Sequence, residues 1–308
     1  MPEISAAFLN SYHFYEAKQD DKDGPQTTAE FEAKRDSLAQ LLLRVCNGTP
    51  PDVIGLTEIG TQKVAQKLGH AIQGNIYEEC FLPAPQGSDL PQGLAVLYRP
   101  EKLRLLATQK SPNQGRPYWF ALLFQCQEGR KGAFWFVVNH WKSNYGSSFR
   151  ENEKKRIESA QSLSDFYYKT AAIQSDTMML AGDFNCEPWE RPFRGLEVKW
   201  KAVRDRRLVT RPYNKSLYLY NLMWRWLGEP DHLEATLEKG YVASRLRGTF
   251  QVDVSKRDMD WRVWDQFLVT KPFLTQTGLI RLRESSLRGV YPMRGESDHA
   301  AIAVRLDV

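Results

Sequence analysis

Of the 308 residues, 42% are hydrophobic and 26% charged, which supplies a large core and excludes a wholly disordered chain. The net charge of +5 and pI of about 8.9 permit a polyanionic partner without demanding one. Cys46, Cys80, Cys126 and Cys186 are far apart and show no C-x-x-C spacing, which argues against a zinc site and against a disulfide framework.

The first residues, MPEISAAFLNSYHF, lack the charged start and long apolar run of a signal peptide. No stretch approaches 18 uncharged apolar residues, so no membrane span and a reducing, cytoplasmic location are expected. ISAAFLN (4–10) reads as a short buried strand, followed by a polar loop. Thr27 to Glu30 offer a capping box, and Phe31, Leu38, Leu41, Leu42 and Val45 recur behind it at helical spacing. DVIGLTE (52–58) is a second buried strand, and residues 60–72 read as a helix. YEECFLP, LAVLYRP, YWFALLFQC and AFWFVVNHW are aromatic, β-branched strand candidates separated by Gly/Pro loops. A charged amphipathic helix spans 150 to about 173, and TMMLAGDFN (177–185) is another apolar strand. Residues 194–215 carry eight basic side chains and two acidic ones with little periodicity. SLYLYNLMWRWLG is expected to form a helix closed by Gly228. WRVWDQFLVT (261–270) and AAIAVRLDV (300–308) are the final strands, and no repeat or linker divides residues 1–308, which read as a single domain.

One feature recurs along this order. ISAAFL ends at Asn10, VIGLT at Glu58, FWFVV at Asn139 and His140, and MMLAG at Asp183 and Asn185. VW precedes Asp265, and Asp298 and His299 precede the last strand. Polar groups are costly to bury, so strands lying side by side would gather these residues on one rim, held by rigid elements. Carboxylates and amide oxygens without thiolates suit a hard cation, Mg²⁺ above all, with Mn²⁺ also compatible. Histidine beside a carboxylate suits proton transfer near neutral pH. Together they fit hydrolysis of a phosphate ester, where positioning and charge neutralisation do most of the catalysis. No G-x-x-x-x-G-K-[ST], H-E-x-x-H or G-x-S-x-G is present, which leaves a kinase, zincin or α/β-hydrolase without residues.

GDFN (182–185), the strand ending in Glu58, NHWKS (139–143), WDQFLV (264–269) and SDH (297–299) occur in an order that resembles the endonuclease/exonuclease/phosphatase superfamily. The likeness runs from Asn10 to His299 and implies a four-layer α/β sandwich: two mostly antiparallel sheets face to face, with helices on both outer sides. It implies that Glu58 holds the metal with Asn10 and Asp298 beside it. Asp183 and Asn185 would orient the attacking water and the scissile phosphate, and Asp265 a histidine imidazole. His299 would be general base or phosphate stabiliser, and His140 would contact the phosphate or serve near the leaving group. Lys142 and Ser143, next to His140, are candidate substrate contacts. Thr57 stands where the superfamily often has Gln, and Trp-Lys-Ser after His140 differs from the Tyr-centred motif of the apurinic endonucleases. The implied activity is Mg²⁺-dependent phosphodiester hydrolysis, first on DNA or RNA. A small or lipid phosphoester is the alternative, and an inactive binding module the third reading.

Overall fold

A computed structural model describes the chain apart from residues 1, 17–22, 85–91, 113–117, 196–197, 212–216, 227–241, 244–249, 253–259 and 293–296. The chain opens with two strand–helix units. β1 (Glu3–Phe14) leads to α1 (Thr28–Val45), whose capping box joins Thr27 and Glu30 reciprocally. β2 (Val53–Ile59) leads to α2 (Gln62–Gln73), capped by the Thr61 hydroxyl. β3 (Glu78–Leu82), β4 (Gly93–Tyr98), β5 (Leu103–Lys110), β6 (Trp119–Cys126) and β7 (Ala133–His140) follow. α3 (Phe149–Phe166) continues through a π-helical turn at Tyr167–Ala171 into α4 (Ala172–Gln174). After β8 (Met178–Asp183) come β9 (Trp200–Val203), α5 (Arg206–Thr210), β10 (Leu217–Asn221), β11 (Val242–Ala243), β12 (Phe250–Val252) and β13 (Asp260–Arg262). β14 (Asp265–Val269), β15 (Arg281–Val290) and β16 (Ala301–Asp307) complete the fold.

The strands form two seven-stranded sheets, in the orders β11-β15-β16-β1-β2-β4-β3 and β5-β6-β7-β8-β14-β10-β9. β12 and β13 pair separately. Most neighbours are antiparallel; β1–β2, β7–β8 and β9–β10 are parallel. Three apolar clusters stack the layers. Phe8, Phe124, Phe134, Phe136, Phe267 and Ile302 fill the space between the sheets. Phe31, Leu38 and Leu42 of α1 and Leu68 of α2 cover Leu9, Ile54 and Leu56 on the outside of the first sheet. Leu163 and Phe166 of α3 cover Trp135, Val137 and Leu180 on the outside of the second. The result is a four-layer α/β sandwich, helices–sheet–sheet–helices. Gly55 marks a point where the sheets meet: a Cβ there would lie 2.8 Å from Val138 Cγ2 and 3.3 Å from Phe8.

Some elements depart from the expectations above. Within SLYLYNLMWRWLG, the described residues Leu217–Trp226 do not form the expected helix. They are β10 followed by a 3-10 turn, Leu222–Trp226. Leu219 packs into the outer cluster and Tyr220 into the inter-sheet core, so both faces are covered and the alternation that marks a strand is lost. Gly228 lies outside the described residues. WRVWDQFLVT is broken at Val263 and Trp264, where the Val263 N–H is taken by the Glu187 carboxylate and its carbonyl accepts from Gln266 Nε2 at 2.9 Å. β5 and β15 were not anticipated. β5 is a largely exposed sheet edge and β15 is polar and irregular in register, so neither carries an apolar run. Among the described residues no helix is long and apolar enough to cross a membrane.

Candidate active site

The topology explains why one rim collects the polar strand ends. β1 and β2 are parallel, so Asn10 and Glu58 emerge together; β7 and β8 are parallel, with His140 opposite Asp183. β14 runs antiparallel to β8 and begins where β8 ends, placing Asp265 opposite Asp183. β16 runs antiparallel to β1, so the residues just before it, Asp298 and His299, reach the same rim. The β7–β8 approach is close. A Cβ on Gly182 would lie 2.5 Å from the Asn139 carbonyl oxygen, which explains the glycine of GDFN.

The side chains converge on a cleft of about 350 Å³ lined by Glu58, His140, Asp183, Asn185, Asp298 and His299, with Lys142 and Ser143 on its edge. At its base His299 Nδ1 lies 2.8 and 3.0 Å from the two oxygens of the fully buried Asp265. The other ring nitrogen, Nε2, faces Asn10 Nδ2 at 3.3 Å, Asp298 Oδ1 at 3.6 Å and Asp183 Oδ2 at 3.9 Å. Asn10 Nδ2 also donates to Glu58 Oε1 and Asp183 Oδ2, each at 3.2 Å, while its Oδ1 accepts the Tyr12 N–H. Asn185 donates its backbone N–H to Asp183 Oδ1 and its Nδ2 to Asp183 Oδ2 and the Trp141 carbonyl. His140 Nε2 sits 3.6 Å from Glu58 Oε1 and 3.8 Å from Asp183 Oδ2. Lys142 Nζ donates to the Tyr145 carbonyl at 2.6 Å and lies 3.5 Å from Ser143 Oγ.

The backbone is bent to aim these groups. Tyr12, His13, Glu58 and Asn185 all have φ between 45° and 60°, a left-handed conformation that non-glycine residues rarely adopt. The strand register shifts at the same places, between Asn10 and Phe14 and between Thr57 and Ile59. This accounts for a residue that sequence reasoning left without a role. In a regular strand Asn10 and His13 point to opposite faces. Here the bend turns His13 into the cleft, where its N–H donates to Glu58 Oε2 at 2.9 Å and its Nε2 lies 3.6 Å from that oxygen. Tyr12, Gln92, Tyr145 and Trp264 also line the cleft. No described residue of the basic run 194–215 is part of that lining; Lys199 pairs with Asp165, and Arg206 with Glu284. His232 lies outside the described residues.

Burial pushes the Asp183 carboxyl above its ordinary pKa, opposed by the His299 charge and reinforced by Asp265. Burial raises Asp298 as well, again opposed by His299, with Glu58 adding to it. Burial would lower His299, but Asp265 and Asp298 outweigh it and hold the imidazole well above its usual value. Glu58 is also penalised by burial, yet His140, His13 and the His13 N–H bring it below the usual carboxylate range. A cluster this rich in carboxylates fits a divalent cation. Asp298 Oδ1 is buried and has no hydrogen-bond donor, an orphaned acceptor of the kind a cation satisfies. One ligand atom each from Asp183, Asp265 and His299 lies within 4.8 Å of the others, a buried group able to hold a metal. Both Asp265 oxygens are already turned to His299 Nδ1, however, which leaves Glu58, Asp183 and Asp298 as the carboxylates lining the cleft.

The chain belongs to the endonuclease/exonuclease/phosphatase family, whose model matches residues 16–227. That span includes Glu58, His140, Asp183 and Asn185 and leaves out Asn10, Asp265, Asp298 and His299. Members of the family are metal-dependent phosphoesterases and nucleases. Among curated proteins none matches the chain significantly. Solved structures share the fold at low identity. An endonuclease/exonuclease/phosphatase from Bacteroides vulgatus is 14% identical with a TM-score of 0.63, each chain covering 100% of the other. The human Nocturnin catalytic domain with bound sulfate is 15% identical with a TM-score of 0.58, covering 99% of this chain and 94% of its own. D. rerio TDP2 complexed with a single-strand DNA product is 14% identical with a TM-score of 0.59, with 99% of each chain covered.

Proposed function

We propose that this chain is a Mg²⁺-dependent phosphodiesterase that cleaves nucleic acid, with Mn²⁺ able to replace Mg²⁺. The observation that carries the reading is the buried Asp265–His299 pair, whose second ring nitrogen, Nε2, faces Asp183 and Asp298 in the cleft that Glu58 also lines. Glu58 and Asp298 would hold the cation with Asp183 close by, and the cation would supply charge neutralisation at the phosphate. Asn10 presents Nδ2 to the carboxylates, so its part is to space and orient Glu58 and Asp183 as well as to border the cation.

Asp183 is fixed by three donors, two from Asn185 and one from Asn10, and its raised pKa suits it to orient and deprotonate an attacking water. Asn185 is held between Asp183 and the Trp141 carbonyl, at the edge where a phosphate oxygen would lie. His299, kept protonated by Asp265, donates from Nε2 to a non-bridging phosphate oxygen as negative charge builds there. This favours the phosphate-stabilising role for His299 over that of general base. His140 faces Glu58 and Asp183 from the β7 side and would contact the phosphate near the leaving group. Lys142 and Ser143 border the cleft where a second phosphate or the leaving strand would pass.

Nucleic acid is preferred as substrate because the cleft edge combines Lys142 with two aromatic rings, Tyr145 and Trp264. The fold neighbour bound to a single-strand DNA product is consistent with this choice. The test is purified protein on plasmid, single-stranded DNA and RNA, with Mg²⁺, Mn²⁺ or EDTA. Metal-dependent cleavage of any of the three is expected. No cleavage by folded protein would sink the nuclease reading. Turnover confined to inositol phosphates or lipid headgroups would replace it with the small-phosphoester alternative.

A further inference from the structure

We infer that Arg156, on α3 and outside the cleft, is a positioning residue that sets the conformation of the 142–147 loop and thereby presents Lys142 and Ser143 to substrate. Both ends of this loop are fixed. At the start, the Trp141 N–H donates to the Asp183 carbonyl and the Trp141 carbonyl accepts from Asn185 Nδ2. At the end, Ser148 and Glu151 form the capping box of α3. Between them lie four cleft-lining residues, Lys142, Ser143, Tyr145 and Gly146, in a segment without regular secondary structure.

Two buried polar side chains, one helical turn apart, reach across from α3 to hold that segment. Arg156 is fully buried, and its Nη1 donates to the Lys142 carbonyl at 3.1 Å and to Asn144 Oδ1 at 2.9 Å. Asn152, equally buried, donates Nδ2 to the Ser147 carbonyl at 3.1 Å. Phe149 covers the guanidinium at 5.9 Å. Both of these acceptors of the Arg156 guanidinium are neutral oxygens, and its Nε and Nη2 have no hydrogen-bond partner among the described residues. A buried cation with only one of its three nitrogens engaged, and that by neutral oxygens, is a poor source of stability, since such partners offset its desolvation incompletely. Its two bonds are spent on loop geometry. The Lys142 carbonyl that one of them fixes belongs to the residue whose ammonium turns back onto the Tyr145 carbonyl, so moving one end of this turn moves the Lys142 side chain.

This inference rests on the phosphodiesterase reading for its kinetic consequence only. The test compares full-length wild type with Arg156→Met and Arg156→Lys. Amide hydrogen exchange over residues 142–147 should quicken in Arg156→Met and return part-way in Arg156→Lys, while the melting temperature of Arg156→Met stays level or rises. With a single-stranded oligonucleotide and Mg²⁺, Arg156→Met should raise KM on the order of tenfold and leave kcat within about twofold, as expected for lost ground-state binding. In a Lys142→Ala Ser143→Ala background the same substitution should add little further to KM. Unchanged exchange in the loop overturns the inference, as does a fall in melting temperature with KM unmoved, which marks a merely structural arginine. If wild type cleaves no oligonucleotide, the phosphodiesterase reading fails, and the exchange result decides the positioning role alone.

Discussion

Asp265→Asn is the sharpest perturbation of the proposed chemistry. The substitution keeps the shape and one of the two acceptor oxygens in a fully buried site and removes one charge. At the observed 2.8 Å, an imidazolium and a carboxylate attract by roughly 6 kcal/mol with an effective dielectric of 20, part of which is cancelled by desolvation. That attraction, with Asp298 second, is what holds His299 above its ordinary pKa. The asparagine amide can still meet Nδ1 but cannot hold the second proton on the ring. Loss of a carboxylate that orients and charges a catalytic histidine costs about 10²- to 10⁴-fold in kcat, or about 3–5.5 kcal/mol of barrier. The assay is kcat against pH on a cleaved oligonucleotide, at saturating Mg²⁺. Wild-type activity should fall where His299 deprotonates, and in Asp265→Asn the fall should move to lower pH. Asp265→Asn in a His299→Ala background should cost little more than His299→Ala alone, because the pair acts as one unit. A kcat within threefold of wild type, with an unmoved pH profile, would refute the reasoning.

Glu58→Gln should raise the Mg²⁺ concentration needed for half-maximal activity by roughly 10- to 100-fold while leaving substrate KM near wild type, measured by metal titration. In EDTA, thermal stability should fall as pH rises, beginning above about 4 for Asp183 and Asp298 and above about 6.5 for His299. His299, Asp183 and Asp298 have raised folded pKa values, so their stabilising contributions are present below the unfolded values and lost as pH climbs through the folded ones. Saturating Mg²⁺ should flatten or reverse that slope in the same melting experiment, because the cation competes with protons for the carboxylates. Gly182→Ala should destabilise by about 1–3 kcal/mol in chemical denaturation, since its methyl would meet the Asn139 carbonyl 2.5 Å away. Deleting residues 298–308 removes β16 from between β15 and β1 and should abolish cooperative unfolding, not activity alone.

Much of the cleft was legible in the sequence because the strands end where their chemistry begins. An apolar run closed by Glu58, Asp183 or His140 signals an interior strand reaching a rim, and the two parallel pairs put those rims side by side. Asp298 and His299 were legible for a related reason, since the apolar run after them had to enter a sheet. His13 was not, because its side chain reaches the cleft only through two consecutive left-handed residues that no local pattern announces. Arg156 was hidden differently. On a helix with so many charges, a guanidinium reads as solvent-facing, and only the packing of α3 against the second sheet and its rim reveals it as buried. β10 was misread because burial on both faces erases the alternation of a strand.

The left-handed residues of the cleft have a consequence for engineering. Tyr12, His13, Glu58 and Asn185 each hold a conformation that glycine would accept more readily, at a cost of order 1–3 kcal/mol per residue. Replacing Glu58 or Asn185 with glycine would release that strain while deleting a side chain of the proposed chemistry. A laboratory selection that rewards heat resistance alone would therefore drift toward robust, inert variants. One that screens turnover together with heat resistance would be forced to find its gains elsewhere, such as the largely exposed β5 edge or the outer faces of the helices.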